Sequence, residues 1–383
     1  NTQRTGYTAS KIFHMKRNEP EKYKKTETLF LVHNYINWYL TGGVKIMEPG
    51  DTSGTALWNP ETKSWSKKVI NIIDPDLINK LPEVAPSDRT IGTVSQKLVE
   101  RFGFSPDCKI DAGSGDNMYG AIGTGNVQPG IVTISLGTSG TAYSFMEDAY
   151  IDPDGEIASF CDSTGHYLPL LCVSNMANGY NQVLEKYDID HKEFIEIVKK
   201  TQAGNNGKIL IPWYEGERTP DLPNAAPIYF GFDIKDINRD NLCRAIIEGH
   251  VLNIYTGFEK MPIDVKEIRL TGGLSKSIIW RQMIADVFET ETVPVEGEGA
   301  ALGAAIHAGW VWLRENGQNI NIEEIIKPYV KLKEDNRCVP DPERKKTYRY
   351  MKQLFKALSG RVRGLKAADP FKIQDSMKDK SND

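Results

Sequence analysis

Three glycine-rich turns carry the residues best suited to chemistry: GSGDN at 113–117, GTSG at 137–140 and TGG at 271–273, the last with a companion EGEGAALG at 296–303. Each follows a run of β-forming residues. Glycines at a strand end expose backbone N–H groups, and a helix beginning there adds partial positive charge, so turns of this kind bind phosphate. One alone is an ordinary tight connection in an α/β protein; three in one chain point to a polyphosphate such as a nucleoside triphosphate. The side chain placed to do chemistry among them is Asp116, which stands in the first turn directly before the small-residue run NMYGAIG, with Asn117 beside it. Asp and Asn favour helix N-caps, which gives a purely structural reading. The chemical reading is a general base: it would accept the proton of a substrate hydroxyl as that oxygen attacks phosphorus, a role that asks mainly for orientation.

Other nucleotide and metal signatures fit poorly. GGLSKS lacks the glycine that a P-loop places before its lysine, and Gly297-x-Gly299-x-x-x-Gly303 is one residue too long for a dinucleotide fingerprint. The five cysteines and six histidines are scattered, without a CxxC pair or an HExxH. No metal-ligating set is expected from them, and the cysteines read as reduced thiols of a cytoplasmic protein.

The elements that must position these turns alternate in type. The run Ile131 to Leu136, the GTSG turn and Thr141 to Phe145 form a predicted hairpin, and Pro129 and Gly130 mark a domain boundary. Asn241 to Met261 has the period of a long helix; VKEIRL is a strand, followed by TGGLSKS and a helix with apolar residues every three or four positions. A helix is also expected from Glu21 to about Leu40, and a last one from Pro342 to Leu358, with a polar, frayed tail from Ser359. Strands alternating with helices imply an α/β fold with a layered sheet. The 383 residues suffice for two domains. A net charge of −4 with no basic stripe disfavours nucleic acid, and no apolar run is long enough to span a membrane, so a soluble protein is expected.

Taken in order, GSGDNMYGAIGTG, ISLGTSGTAY, IPWYEGERTP, LTGGLSKSIIWRQMIADVF and EGEGAALGAAIHAG resemble the motif series of the FGGY carbohydrate kinases. GYTASKIFHMKRNEPEKY, YLTGG and DTSGTALWNPETKSW are similar to that family's first signature region, so the resemblance covers about residues 4–357. It implies a two-domain actin/hexokinase/Hsp70-like (ribonuclease H-like) ATPase fold with the first domain incomplete. Residues 1–128 would be the C-terminal half of the first domain, 129–358 the second domain and 359–383 a polar tail. It also implies ATP and Mg²⁺ as cofactors, ATP in a cleft closed by domain motion, and transfer of the γ-phosphoryl group to D-xylulose, giving D-xylulose 5-phosphate. Ribulose, gluconate, erythritol and glycerol are alternative acceptors, and a nucleotide-binding remnant without turnover is a further alternative.

By the same resemblance Asp116 is the catalytic base, and Asp116 and Asn117 contact the sugar. Gly137, Thr138 and Ser139 hold ATP phosphates through their N–H groups, and Gly272, Gly273 and Ser277 contact the nucleotide. Gly299 and Gly303 provide tight helix packing, Glu217 and Arg218 belong to a GERTP loop typical of members that act on xylulose, and Arg218 either touches ligand or braces the loop. The partners expected are a small sugar and ATP, with a homodimer left open. The chain departs from the family pattern at His14, where Trp is usual, and at His33-Asn34, where a Lys-Asp pair is usual. It opens at Asn1 without the Asp-x-Gly-Thr/Ser phosphate hairpin that begins the family's first domain, so on the family pattern the N-terminal part of that domain, with the Asp expected to organise Mg²⁺, is missing from the sequence.

Overall fold

The computed structural model describes residues 6–297 and 299–380; Asn1 and Glu298 of the EGEG run lie outside the described residues. The chain divides into two compact units. Residues up to Pro129, with Ser144–Leu170 and Gly297–Lys331, make the first; Gly130–Tyr143, Leu171–Glu296 and the chain from Leu332 make the second. The chain first passes from one to the other at Pro129–Gly130, and the two later returns to the first unit have no counterpart in a division drawn along the sequence.

Among the described residues the first unit buries three apolar clusters, the smallest formed by Ile46, Ala85 and Ala112. Of the other two, one joins the helix Thr8–Asn18, through Ala9 and Ile12, to Tyr23, Leu57, Ile70, Ile73 and Leu77. The other lies along the helix Gly299–Glu315, whose buried residues Gly303, Ile306, His307, Trp310 and Val311 recur at the three- and four-residue spacing of a single stripe. That stripe packs on the helix Asp116–Gly123, and glycine makes the crossing close. A Cβ on Gly303 would stand 1.8 Å from the Tyr119 carbonyl oxygen, and one on Gly123 would stand 1.7 Å from that of Gly299. The tight-packing role expected of this glycine pair is thus seen at the helix that begins with Asp116.

The second unit is built on parallel strands in the order Thr292–Pro294, Glu267–Thr271 and Ile131–Leu136, continued by the return strand Gly140–Ser144. Only Ser135 of Ile131–Leu136 escapes full burial, as a strand covered on both faces requires. The helices Arg239–Phe258 and Ile278–Phe288 cover the sheet, and Pro342–Val362 packs on those two helices. Arg239–Phe258 is buried nearly all round, and its Glu248 accepts from Gly204 N at 2.8 Å and Tyr348 Oη at 2.9 Å while facing Arg244.

Two expectations are corrected. The helix predicted from Glu21 to Leu40 is two helices, Pro20–Lys25 and Val32–Thr41, separated by extended chain; Leu29 N donates to the Lys80 carbonyl at 2.9 Å, a tertiary bond that local periodicity does not reveal. The tail is not frayed over its described length: Pro370–Lys380 is a helix, Phe371 packs on Phe230, and the buried Gln374 donates to the Gly207 carbonyl at 3.0 Å.

Candidate active site

In the first unit, residues 112–115 connect the strand Lys109–Asp111 to the helix Asp116–Gly123. The N-cap is Gly115, not Asp116, so the carboxylate begins the helix without capping it. Asp116 is exposed; its Oδ1 accepts from Asn117 N at 2.8 Å and Asn117 Nδ2 at 3.0 Å. Among the described residues Oδ2 has no hydrogen bond. Asn117 is thereby placed as the group that orients Asp116.

The turn rests on a segment whose role could not be read in advance. Glu48 is fully buried and caps the short helix Pro49–Ser53, accepting from Gly50 N at 2.5 Å and Asp51 N at 2.7 Å. Its Oε2 also accepts from Ser87 Oγ at 3.1 Å and Ser114 Oγ at 3.3 Å. The backbones approach closely there: a Cβ on Gly50 would lie 2.6 Å from Ser114 Oγ, and one on Gly115 would lie 3.2 Å from Asp51 Cγ. A buried carboxylate is costly unless every oxygen is bonded, which is why so many donors converge on it. His33 stands at the edge of this cluster, with Nε2 3.4 Å from Glu48 Oε1 and Nδ1 3.3 Å from Asp51 Oδ2.

In the second unit the two remaining turns leave neighbouring parallel strands at the same end, since Thr271 is paired with Ser135. The carboxyl ends of parallel strands are where open α/β sheets bind ligands. Thr138 and Ser139 are exposed at the hairpin tip, and their N–H groups have no backbone partner among the described residues. The N–H of Gly137 is used inside the turn, donating to the Ser139 carbonyl at 3.2 Å. Gly272 adopts φ 85° and ψ 173°, and a Cβ there would meet the Leu136 carbonyl oxygen at 2.6 Å, so glycine is required twice over. Gly273 faces open space, and Ser277 is the N-cap of Ile278–Phe288 with no side-chain capping bond. Gly137 and Gly272 therefore shape the backbone, while Thr138, Ser139, Gly273 and Ser277 present free surface.

Glu217 secures this end of the sheet. Buried in the GERTP loop, it accepts from Ser174 N at 2.5 Å, Arg218 N at 2.7 Å, Asn253 Nδ2 at 2.9 Å and Asn175 Nδ2 at 3.0 Å. The next two residues bond the hairpin tip: Met176 N donates to the Thr138 carbonyl at 3.1 Å and Ala177 N to that of Gly137 at 3.2 Å. The Arg218 side chain is exposed, with Nη1 on Cys172 Sγ at 3.1 Å. No group of three or more His, Cys, Asp or Glu side chains able to hold a metal ion occurs among the described residues. A phosphate-bound Mg²⁺ makes little demand of that kind, because it is held by phosphate oxygens and water with one or two carboxylates.

Comparison with known proteins decides the family. Residues 1–123 match the N-terminal domain of the FGGY family of carbohydrate kinases and residues 132–312 match its C-terminal domain. This chain belongs to the FGGY family. It is 37% identical over 350 residues to a xylulose kinase of Haemophilus influenzae, covering 90% of this chain and 70% of that protein. It is 30% identical to a xylulose kinase of Streptomyces rubiginosus, covering 79% of this chain and 61% of that one. Among solved structures, a xylulose kinase from Bifidobacterium adolescentis superposes with a TM-score of 0.77 at 25% identity, over 90% of this chain and 72% of that one. The fold is the two-domain actin/hexokinase-like ATPase fold of FGGY kinases. No helix among the described residues is long and apolar enough to cross a membrane.

Proposed function

We propose that this FGGY kinase transfers the γ-phosphoryl group of Mg²⁺-ATP to D-xylulose, forming D-xylulose 5-phosphate, with Asp116 as general base. The observation that carries the base assignment is the free Oδ2 of an exposed carboxylate whose other oxygen is fixed by Asn117. The acceptor is supported by the names of its relatives, xylulose kinases at 37% and 30% identity. Asp116 takes the proton of the sugar's terminal hydroxyl as its oxygen attacks phosphorus, and Asn117 contacts the sugar. Thr138 and Ser139 donate backbone N–H groups to ATP phosphates, and Gly272, Gly273 and Ser277 line the nucleotide's other end. Mg²⁺ supplies charge neutralisation on the phosphates. The protein works in the cytoplasm.

A coupled assay with ATP against D-xylulose, ribulose, gluconate, erythritol and glycerol tests this. Turnover on D-xylulose with the highest kcat/KM of the set is expected; turnover confined to another acceptor replaces the substrate, and none on any rejects the reading.

A further inference from the structure

His33 is the second residue of the helix Val32–Thr41, and both of its ring nitrogens face carboxylates: Nδ1 lies 3.3 Å from Asp51 Oδ2 and Nε2 lies 3.4 Å from Glu48 Oε1. A neutral imidazole has one N–H and can donate to only one of them; the imidazolium donates to both. Asn34 completes the picture. Its fully buried amide meets Nε2 through Nδ2 at 2.8 Å, while its Oδ1 has no partner. Two donors cannot share that contact with a protonated ring. Turned over, the amide offers Oδ1 to Nε2–H, and the unpaired oxygen is satisfied; the orientation of an amide follows from the hydrogen-bond network rather than from its shape. Glu48 and Asp51 from the neighbouring segment and Asn34 from its own helix are then all acceptors for one cation.

What those carboxylates hold gives the cation its role. Glu48 fixes Gly50, Asp51, Ser87 and Ser114, and Asp51 lies against Gly115, the N-cap before Asp116. We propose that His33 is a positioning residue for phosphoryl transfer: as an imidazolium it clamps Glu48 and Asp51 together under the Asp116 turn, and loss of its proton loosens that turn. The inference rests on Asp116 being the base. Burial works to depress the basicity of the ring, but the hydrogen bonds and charges of Asp51 and Glu48 outweigh it and raise the pKa to about 9. Raised above its ordinary 6.5, the clamp is complete below that pH and is lost as pH rises through about 9.

Two measurements test the clamp, one of them independent of catalysis. In the ¹³C-histidine-labelled protein, the resonance that disappears in His33→Gln is expected to titrate with a midpoint near 9; a midpoint at or below 6.5 overturns the proposal. In the xylulose assay from pH 6 to 10, kcat of the unmodified protein is expected to fall with a midpoint near 9 while KM for ATP changes little. His33→Gln should lose about ten- to a hundredfold in kcat at pH 7, the scale of a slightly misplaced catalytic group. His33→Lys, whose charge persists to about pH 10.4 or above, should recover most of that loss and move the alkaline limb upward. Superimposable profiles for the unmodified protein and His33→Lys overturn the proposal even if both are active. If the unmodified protein transfers phosphate to no sugar, the proposed function fails by itself, and the resonance midpoint still decides the clamp.

Discussion

In the proposed reaction the Asp116 turn of the first unit and the paired turns of the second have different tasks, and different means hold them. The first must aim one carboxylate, and it is held by side chains: Glu48, Asp51, His33 and Ser114 converge beneath it. The second must present N–H groups, and it is held by backbone, with Gly272 against Leu136 and the Met176–Ala177 segment against Thr138 and Gly137. A side-chain network can be tuned by charge and pH. A backbone contact tolerates only the residue that fits. The two regions should therefore fail differently when altered.

The largest separation of the two is expected from Asp116→Asn. It should lower kcat by about two to four orders of magnitude, the usual contribution of a general base, and leave ATP binding by calorimetry nearly unchanged. A loss of ATP affinity that matched the loss of kcat would show that the first turn also serves the nucleotide. Next is the helix crossing that supports Asp116. Gly303→Val places a branched side chain where even a Cβ lies 1.8 Å from a carbonyl oxygen, and should cost about 3 kcal/mol or more, read as a lowered denaturation midpoint. Unchanged stability would mean that the crossing is loose.

Acid should expose a weakness of the second unit that mirrors the alkaline one proposed for the first. His250 is buried with Nε2 unpartnered, and burial lowers its pKa to about 4 despite the bond between Nδ1 and the Ile246 carbonyl at 2.6 Å. Depressed below 6.5, the neutral ring favours folding fully above that pH and loses the advantage as pH falls through about 4, a swing of about 3 kcal/mol. Denaturation at pH 7 and pH 4 should show the unmodified protein losing about that much more than His250→Gln; equal losses would remove His250 as the cause. The smallest effect concerns Glu217→Gln, which keeps shape but replaces one accepting oxygen with a donor. About 1–3 kcal/mol of stability and a rise in KM for ATP larger than the fall in kcat are expected. A kcat-only effect would detach Glu217 from the phosphate hairpin.

Much of the site was legible because its chemistry is local. A glycine turn, a helix starting at NMYGAIG and a strand that ends at Leu136 are each written in a short stretch of sequence; the structure has the turn and the strand end where the sequence puts them and starts the helix one residue earlier, at Asp116. The helix ascribed to 21–40 and the tail failed for the opposite reason. At Leu29 a bond to Lys80 overrides local periodicity, and beyond Ser359 a Lys- and Asp-rich stretch orders itself by burying Gln374 and setting the exposed Phe371 against Phe230, partners far away in the chain.

Sequence alone determined the family, the order of its motifs and which glycine turns carry the candidate site, because spacing and turn chemistry are properties of short segments. Tertiary structure decided which residues hold those turns still. Glu48 lies 66 residues from Ser114, and Glu217 lies 43 from Ser174, so no local pattern announces either contact. His33 looked like a departure from its family; only folding shows it between two carboxylates, because an ionic cluster is defined by distance in space and by exclusion of water, and sequence carries neither.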